Sequence, residues 1–197
     1  MDGIASSVPL IARPSFNRAC SFVPSEYVQA WEWFLREEQR GEIWEKLPHH
    51  TNADSPQYSN RLMIDSKPFP VSRDSGIYWP GRGRIKHPVE RTFALSAHSS
   101  TGGGYSDVPP LYLEDGTWVF KYSSQSTTAE GGRNQNYNQK MINCMECGVP
   151  VGVFFATSAG YKVLGLAFVE RYEPENSWFV LHGPFIRVDL TRASSPI

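Results

Sequence analysis

Two arginines alternate with glycines in Gly81-Arg-Gly-Arg84, and a third opens the run Arg133-Asn134-Gln-Asn136. Glycine lets a backbone approach a ligand closely, and a guanidinium offers two parallel donors to neighbouring oxygens. Arg82 and Arg84 therefore suit phosphate contact, with a solvated surface turn as the competing reading; His87 stands at the far end of the same loop. Arg133 and Asn134 fall where a helix is expected to begin, and the free amides and dipole of a helix start favour an anion there. Lys121 and Tyr122 end an aromatic strand ahead of them. Between lies Ser123-Ser-Gln-Ser-Thr-Thr-Ala-Glu-Gly-Gly132, rich in hydroxyls and glycine. Lys121, Tyr122, Arg133, Asn134 and Asn136 thus gather at one end of a β-rich domain, while Val119, Met141 and Met145 are expected to point inward.

Other residue patterns carry less chemistry. His49-His50 has no carboxylate or thiol at ligand spacing, and Cys144-Met-Glu-Cys147 is a lone CxxC inside a helix, read as packing thiols, so no metal is expected. The stretch His98-Ser-Ser-Thr-Gly-Gly-Gly104-Tyr105 lacks the Lys-Ser/Thr pair of a P-loop and the spacing of a dinucleotide fingerprint, so no cofactor is expected. A hydrolase or nuclease using His98, beside Ser99 and Ser100, or His182 lacks a nucleophile elbow. It is the weakest functional class here.

The formal charge is −1 and the pI about 6.5, so any nucleic-acid surface must be a local patch. Three cysteines form no disulfide framework, and no apolar run approaches the ~18 residues of a membrane span, so a reduced, cytoplasmic, membrane-free protein is expected. Asp2 in place of a basic start, with Pro9 and Pro14 interrupting the apolar scatter, lets no targeting segment be expected in residues 1–18.

These groups need elements to hold them. Residues 1–23 lack periodicity and read as an arm. Ser25 is expected to cap a helix carrying Tyr27, Trp31, Phe34 and Leu35 at spacings of three and four, a core-packing face. Gly41 interrupts it, with Ile43, Trp44 and Leu47 as a possible further turn. The breakers from 48 to 75 suggest an irregular linker. From Gly76 the pattern turns to β: Gly76-Ile-Tyr-Trp-Pro80, then Thr92–Ala97, then Leu111–Leu113 joined to Thr117–Tyr122 through Glu114-Asp115-Gly116, a hairpin signal. A helix capped by Asn134 stops at Gly148 before Pro150. Val151–Thr157, Tyr161–Tyr172, Trp178–His182 and Phe185–Leu190 form a closing meander, and 191–197 a tail. The expected fold is α+β: a twisted, mostly antiparallel sheet rolled into a partial barrel, with an N-terminal helix and one capped helix before the meander. A functional domain over 76–190 follows the helix and linker of 24–75.

The succession Gly76-Ile-Tyr-x-Pro80 with arginines just after it, Ala94-Leu-Ser96, Tyr105-Ser-Asp107, Asp115-Gly116 leading into Val119-Phe-Lys-Tyr122, Arg133-Asn134-x-Asn136 and Gly148-Val-Pro150 resembles the DNA sulfur-binding domains of McrA-type, modification-dependent HNH restriction endonucleases. The resemblance covers roughly 76–183. It implies a reader of phosphorothioate-modified double-stranded DNA, with an HNH nuclease domain or subunit as a possible partner. Under it Arg82, Arg84, His87, Lys121, Arg133, Asn134 and Asn136 would grip DNA. Tyr78, Trp79, Pro80, His98, Ser100, Tyr105, Tyr122, Ser123 and Ser124 would line the modification pocket. One departure matters: the loop before Arg133 holds no proline, and a hydroxyl-rich loop suits a base edge or phosphate oxygen better than the apolar cage a soft sulfur prefers. The alternative is a distantly related SRA- or PUA-like barrel reading methyl- or hydroxymethylcytosine by flipping the base.

Overall fold

A computed structural model describes residues 23–45, 47, 63–64, 67–68, 76–79, 92–100, 108–125 and 133–185. Helix α1 spans Ser25–Arg40. Its first cap is Pro24 in extended conformation, not Ser25: no side chain caps this end, and the ring fixes the entry geometry instead. At the other end Gly41 is left-handed and its amide reaches back to the carbonyls of Glu37 and Glu38. Beyond it Ile43–Trp44 is not a further helical turn but strand β1, because its backbone pairs with the strand that carries Tyr161 and Lys162.

Short strands β2 (Met63–Ile64) and β3 (Lys67–Pro68) pair with each other inside the expected linker. The main sheet holds β4 (Ile77–Tyr78), β5 (Ser96–His98), β6 (Val108–Tyr112), β7 (Trp118–Ser123), β8 (Val151–Thr157), β9 (Gly160–Glu173) and β10 (Trp178–Gly183). Their order is β4-β5-β8-β9-β10-β7-β6, with β1 added to β9, and only β5–β8 is parallel. The architecture is therefore α+β with a mostly antiparallel sheet, and among the described residues no pairing joins β4 to β6 to close it. β5 is shorter than the Thr92–Ala97 run suggested, since 92–95 lies outside it, and β6 begins earlier, at Val108. Helix α2 spans Arg133–Cys147, so Asn134 sits in its first turn rather than at the cap. Of the expected strand 185–190, only Phe185 lies within the described residues.

The sheet curls because β9 carries two bulges. Its pairing slips opposite Val153/Phe154 and again opposite Val180/Leu181, each time leaving an extra residue that sharpens the twist. Strands three apart in the sheet consequently face each other: Phe120 of β7 meets Phe155 of β8 with centroids 5.7 Å apart, and Tyr112 of β6 brings its hydroxyl 3.5 Å from Lys162 Nζ of β9. This is the expected partial barrel.

The core confirms the helix stripe: Tyr27, Trp31 and Phe34 are fully buried, Leu35 nearly so, and Trp33 joins them. Phe34 seats on β8 where Gly152 leaves room, packing edge-on to Phe154 at 5.0 Å, with Trp33 and Trp44 alongside. Burying a ring of this size contributes on the order of 2–3 kcal/mol. In β7 the buried side is Trp118, Phe120 and Tyr122, whereas Val119 is half-buried. The expectation for Val119 is reversed because the concave side of the curl, lined by large rings from several strands, is the drier face. Met141 is buried as expected, and Met145 is half-buried. Among the described residues no helix is long and apolar enough to cross a membrane.

Candidate functional site

The end of β7 and the first turns of α2 are fastened together. Asn138 is buried, and its side-chain amide pairs with the backbone of Gln125: the Gln125 amide donates to Oδ1 at 2.9 Å while Nδ2 donates to the Gln125 carbonyl at 2.8 Å. The geometry copies one rung of an antiparallel ladder. Two residues on, Lys140 is almost completely buried. Its ammonium donates to the Asn136 carbonyl at 3.0 Å and to the Asn136 side chain, and it lies 4.1 Å from the centre of the Trp79 ring and 5.6 Å from that of Tyr137. Burial makes a bare ammonium costly; the two oxygens and the two ring faces offset that cost.

At the edge of the sheet, Gly76 has φ +63°, and a side chain there would lie 2.6 Å from the Tyr122 hydroxyl and 2.8 Å from Gln125 Nε2, with the His98 carbonyl 3.6 Å away. The His98 amide donates to the Gly76 carbonyl at 2.7 Å. Tyr122 and Gln125 thus converge on Gly76 with Asn138 holding the Gln125 backbone, and beside them on α2 Lys140 gathers the Trp79 and Tyr137 rings. These six side chains belong to the end of β4, the end of β7 and the start of α2.

This set includes only part of what the sequence suggested. Arg82, Arg84, His87, Pro80 and Tyr105 lie outside the described residues, as does Cys20. Arg133 and Asn134 are in the first turn of α2, where only their backbone is described. Asn136 is exposed and serves as acceptor for Lys140. Tyr122 is in the core, and Ser123 and Ser124 are buried, with the Ser124 amide donating to the Ser177 carbonyl in the β9–β10 turn. Ser100 is exposed. Lys121 sits on the opposite face of β7 from Tyr122, its ammonium 4.6 Å over the Trp178 ring, so it does not share a site with Tyr122.

The sheet register also fixes the face that Tyr78 takes. Register places Tyr78, Ser96, His98, Gly152 and Phe154 on one face, which α1 covers through Phe34, and Ile77, Ala97, Val153 and Phe155 on the other. Tyr78 accordingly lies near Tyr27 of α1. Burial, then the nearby Cys144 and Tyr78, push the Tyr27 phenol well above its ordinary value, and that phenol donates to the Phe93 carbonyl at 2.7 Å. Trp79, just beyond the end of β4, meets Lys140 of α2.

The hydrolase reading gains no support. The Ser99 hydroxyl accepts the Ala156 amide at 2.7 Å, a stitch between strands, and His182 lies 3.5 Å from the Glu170 carboxylate on β9. Cys144 is a buried free thiol, and Cys147 is half-buried. Cys144 donates to the Ala94 carbonyl at 3.5 Å, and burial pushes its thiol far up. No three His, Cys, Asp or Glu side chains among the described residues could hold a metal ion.

Sequence reasoning missed Gln125, Asn138 and Lys140. Their types were unremarkable for a polar helix and loop, and their importance comes from burial, which periodicity did not reveal. The one available signal was Asn136 four residues before Lys140 on the same helical face.

No family model matches the chain, and no curated protein matches it. Among solved structures, the SRA domain of SUVH5 in complex with hemi-methylated CG DNA shares 19% identity, covering 72% of this chain and 84% of that one, with a TM-score of 0.40. The same domain bound to fully hydroxymethylated CG DNA shares 18% identity over 72% of this chain and 85% of that one, with a TM-score of 0.39. These chains overlay only loosely on the present one.

Proposed function

We propose that this chain is a modified-DNA reader and that the altered group it distinguishes is carried on a base. The observation that supports this is the chemistry of the set just described. Tyr122 and Gln125 supply donors and acceptors, and Trp79 and Tyr137 supply flat faces, at the point where the hydroxyl-rich segment 126–132 leaves β7 and returns to α2, while Asn138 and Lys140 hold these groups from behind. Base edges are recognised by hydrogen bonds and base faces by stacking, and a base examined in this way must leave the helical stack. A phosphorothioate sulfur is soft and weakly hydrated and calls for an apolar cage, which these six residues do not make. Arg82, Arg84, Arg133 and Asn136 are proposed to hold the phosphates, which position the duplex without specifying it.

The test is a panel of otherwise identical duplexes: unmodified, 5-methylcytosine, 5-hydroxymethylcytosine, methyladenine and phosphorothioate. Tighter binding to a cytosine-modified duplex than to its unmodified twin is the expected result. Preference for the phosphorothioate duplex would restore the sulfur reading. Equal binding to all five would remove the reader function altogether.

A further inference from the structure

Asn138 and Lys140 hold different groups at the start of α2. Asn138 satisfies both backbone groups of Gln125, as a folded chain requires of buried amides and carbonyls. Lys140 acts differently, on groups that include the exposed Asn136 and the Trp79 ring. A methionine would fill much the same volume with no charge to desolvate, and the partners named above, Asn136 and two rings, would leave no uncompensated charge behind. What the ammonium does supply is direction: it ties the Asn136 carbonyl and side chain, in the early turns of α2, to the face of Trp79 at the end of β4.

We propose that Lys140 is a positioning residue for discrimination between modified and unmodified bases. It orients Trp79 and the exposed Asn136 relative to each other, while Asn138 fixes the same part of α2 to the end of β7. The ammonium is buried beneath the site and does not itself touch DNA. This rests on the base-reader reading above and names what tunes it.

The test measures binding of a 5-methylcytosine duplex and its unmodified twin to wild type, Lys140→Met, Lys140→Arg and Asn138→Ala, each with a melting curve. Lys140→Met should melt within a few degrees of wild type yet lose roughly two- to thirty-fold in its preference for the modified duplex, the range expected when a residue away from the ligand modulates coupling. Lys140→Arg, which keeps a cation able to lie on Trp79, should restore most of that preference. The Gln125 amide should exchange with solvent faster in Asn138→Ala, with or without DNA. A folded Lys140→Met with undiminished preference overturns the inference and leaves the base reader standing. An unfolded Lys140→Met makes the lysine structural and overturns it too, as does a Gln125 amide still protected in Asn138→Ala. A wild type that prefers no modified base removes the reader reading and this inference with it.

Discussion

Gly76→Ala adds a methyl at the sheet edge where both the backbone and two buried side chains oppose it. The residue has φ +63°, where a Cβ costs roughly 1–2 kcal/mol. That Cβ would also lie 2.6 Å from the Tyr122 hydroxyl and 2.8 Å from Gln125 Nε2, closer than side-chain atoms normally approach. Forcing a methyl into such a site typically adds about 1–3 kcal/mol. The two costs have different origins and together come to about 2–5 kcal/mol, within what a domain of ordinary stability can lose and still fold. They can be separated. In a Tyr122→Phe background the nearer of the two atoms is gone, while the backbone strain and the Gln125 contact persist, so Gly76→Ala should cost about 1 kcal/mol less there than in wild type. Urea unfolding of all four proteins, followed by tryptophan fluorescence and by circular dichroism with a common slope, gives both numbers. A Gly76→Ala protein within 0.5 kcal/mol of wild type, on the order of a surface substitution, would refute the placement of the sheet edge. Strict additivity with Tyr122→Phe would refute the contact with the hydroxyl. Where the variant folds, displacement of Tyr122 and Gln125 should also lower the preference for a modified base.

Phe34→Ala, which empties a fully buried ring site between Gly152, Phe154 and Trp33, should cost about 3–5 kcal/mol in the same unfolding assay; a loss below 1 kcal/mol would mean that α1 is not seated on β8. The Cys144 thiol and Tyr27 phenol are both raised by burial, so each contributes stability that is fully present below its unfolded pKa and lost as pH rises. Stability should therefore fall from about pH 8.5 upward, by up to 1.36 kcal/mol per pH unit for each group titrating in the unfolded chain, and Cys144→Ala should flatten the first part of that fall; a stability independent of pH between 8 and 10 would contradict the burial of Cys144. Affinity for any duplex should decline by about 0.9 log units per log unit of salt for each phosphate contact, and an affinity that ignores salt would exclude the proposed roles of Arg82, Arg84 and Arg133.

Short-range signals in the chain were enough for several elements. The stripe Tyr27, Trp31, Phe34 and Leu35 repeats at the helical period and needs only its own spacing to declare a helix with one dry face. Asp115-Gly116 specifies the β6–β7 hairpin locally: Gly116 takes φ +76°, and Asp115 Oδ1 accepts from the Thr117 amide at 2.8 Å and from its hydroxyl at 2.6 Å. The β8–β9–β10 meander was legible for the same reason, since its turns join neighbours in sequence. Other features depended on partners far along the chain. Ile43-Trp44 is a strand because β9 passes beside it, more than a hundred positions later, and β5 runs parallel to β8 across fifty-odd residues of intervening chain. Tyr27 bonds Phe93, and Asn143 bonds Thr92 at 2.8 Å, over separations of 66 and 51 residues. The site divides along the same line. Glycine-flanked arginines and a polar helix start could be read as anion-seeking from residue type alone. Whether Tyr122 or Val119 faces inward, which face of the sheet Tyr78 takes, and that Lys140 is buried against an indole are set by how a bulged β9 curls the sheet and where α2 then docks. Alternation along a strand establishes that successive side chains point oppositely; only the fold decides which of the two directions is the interior.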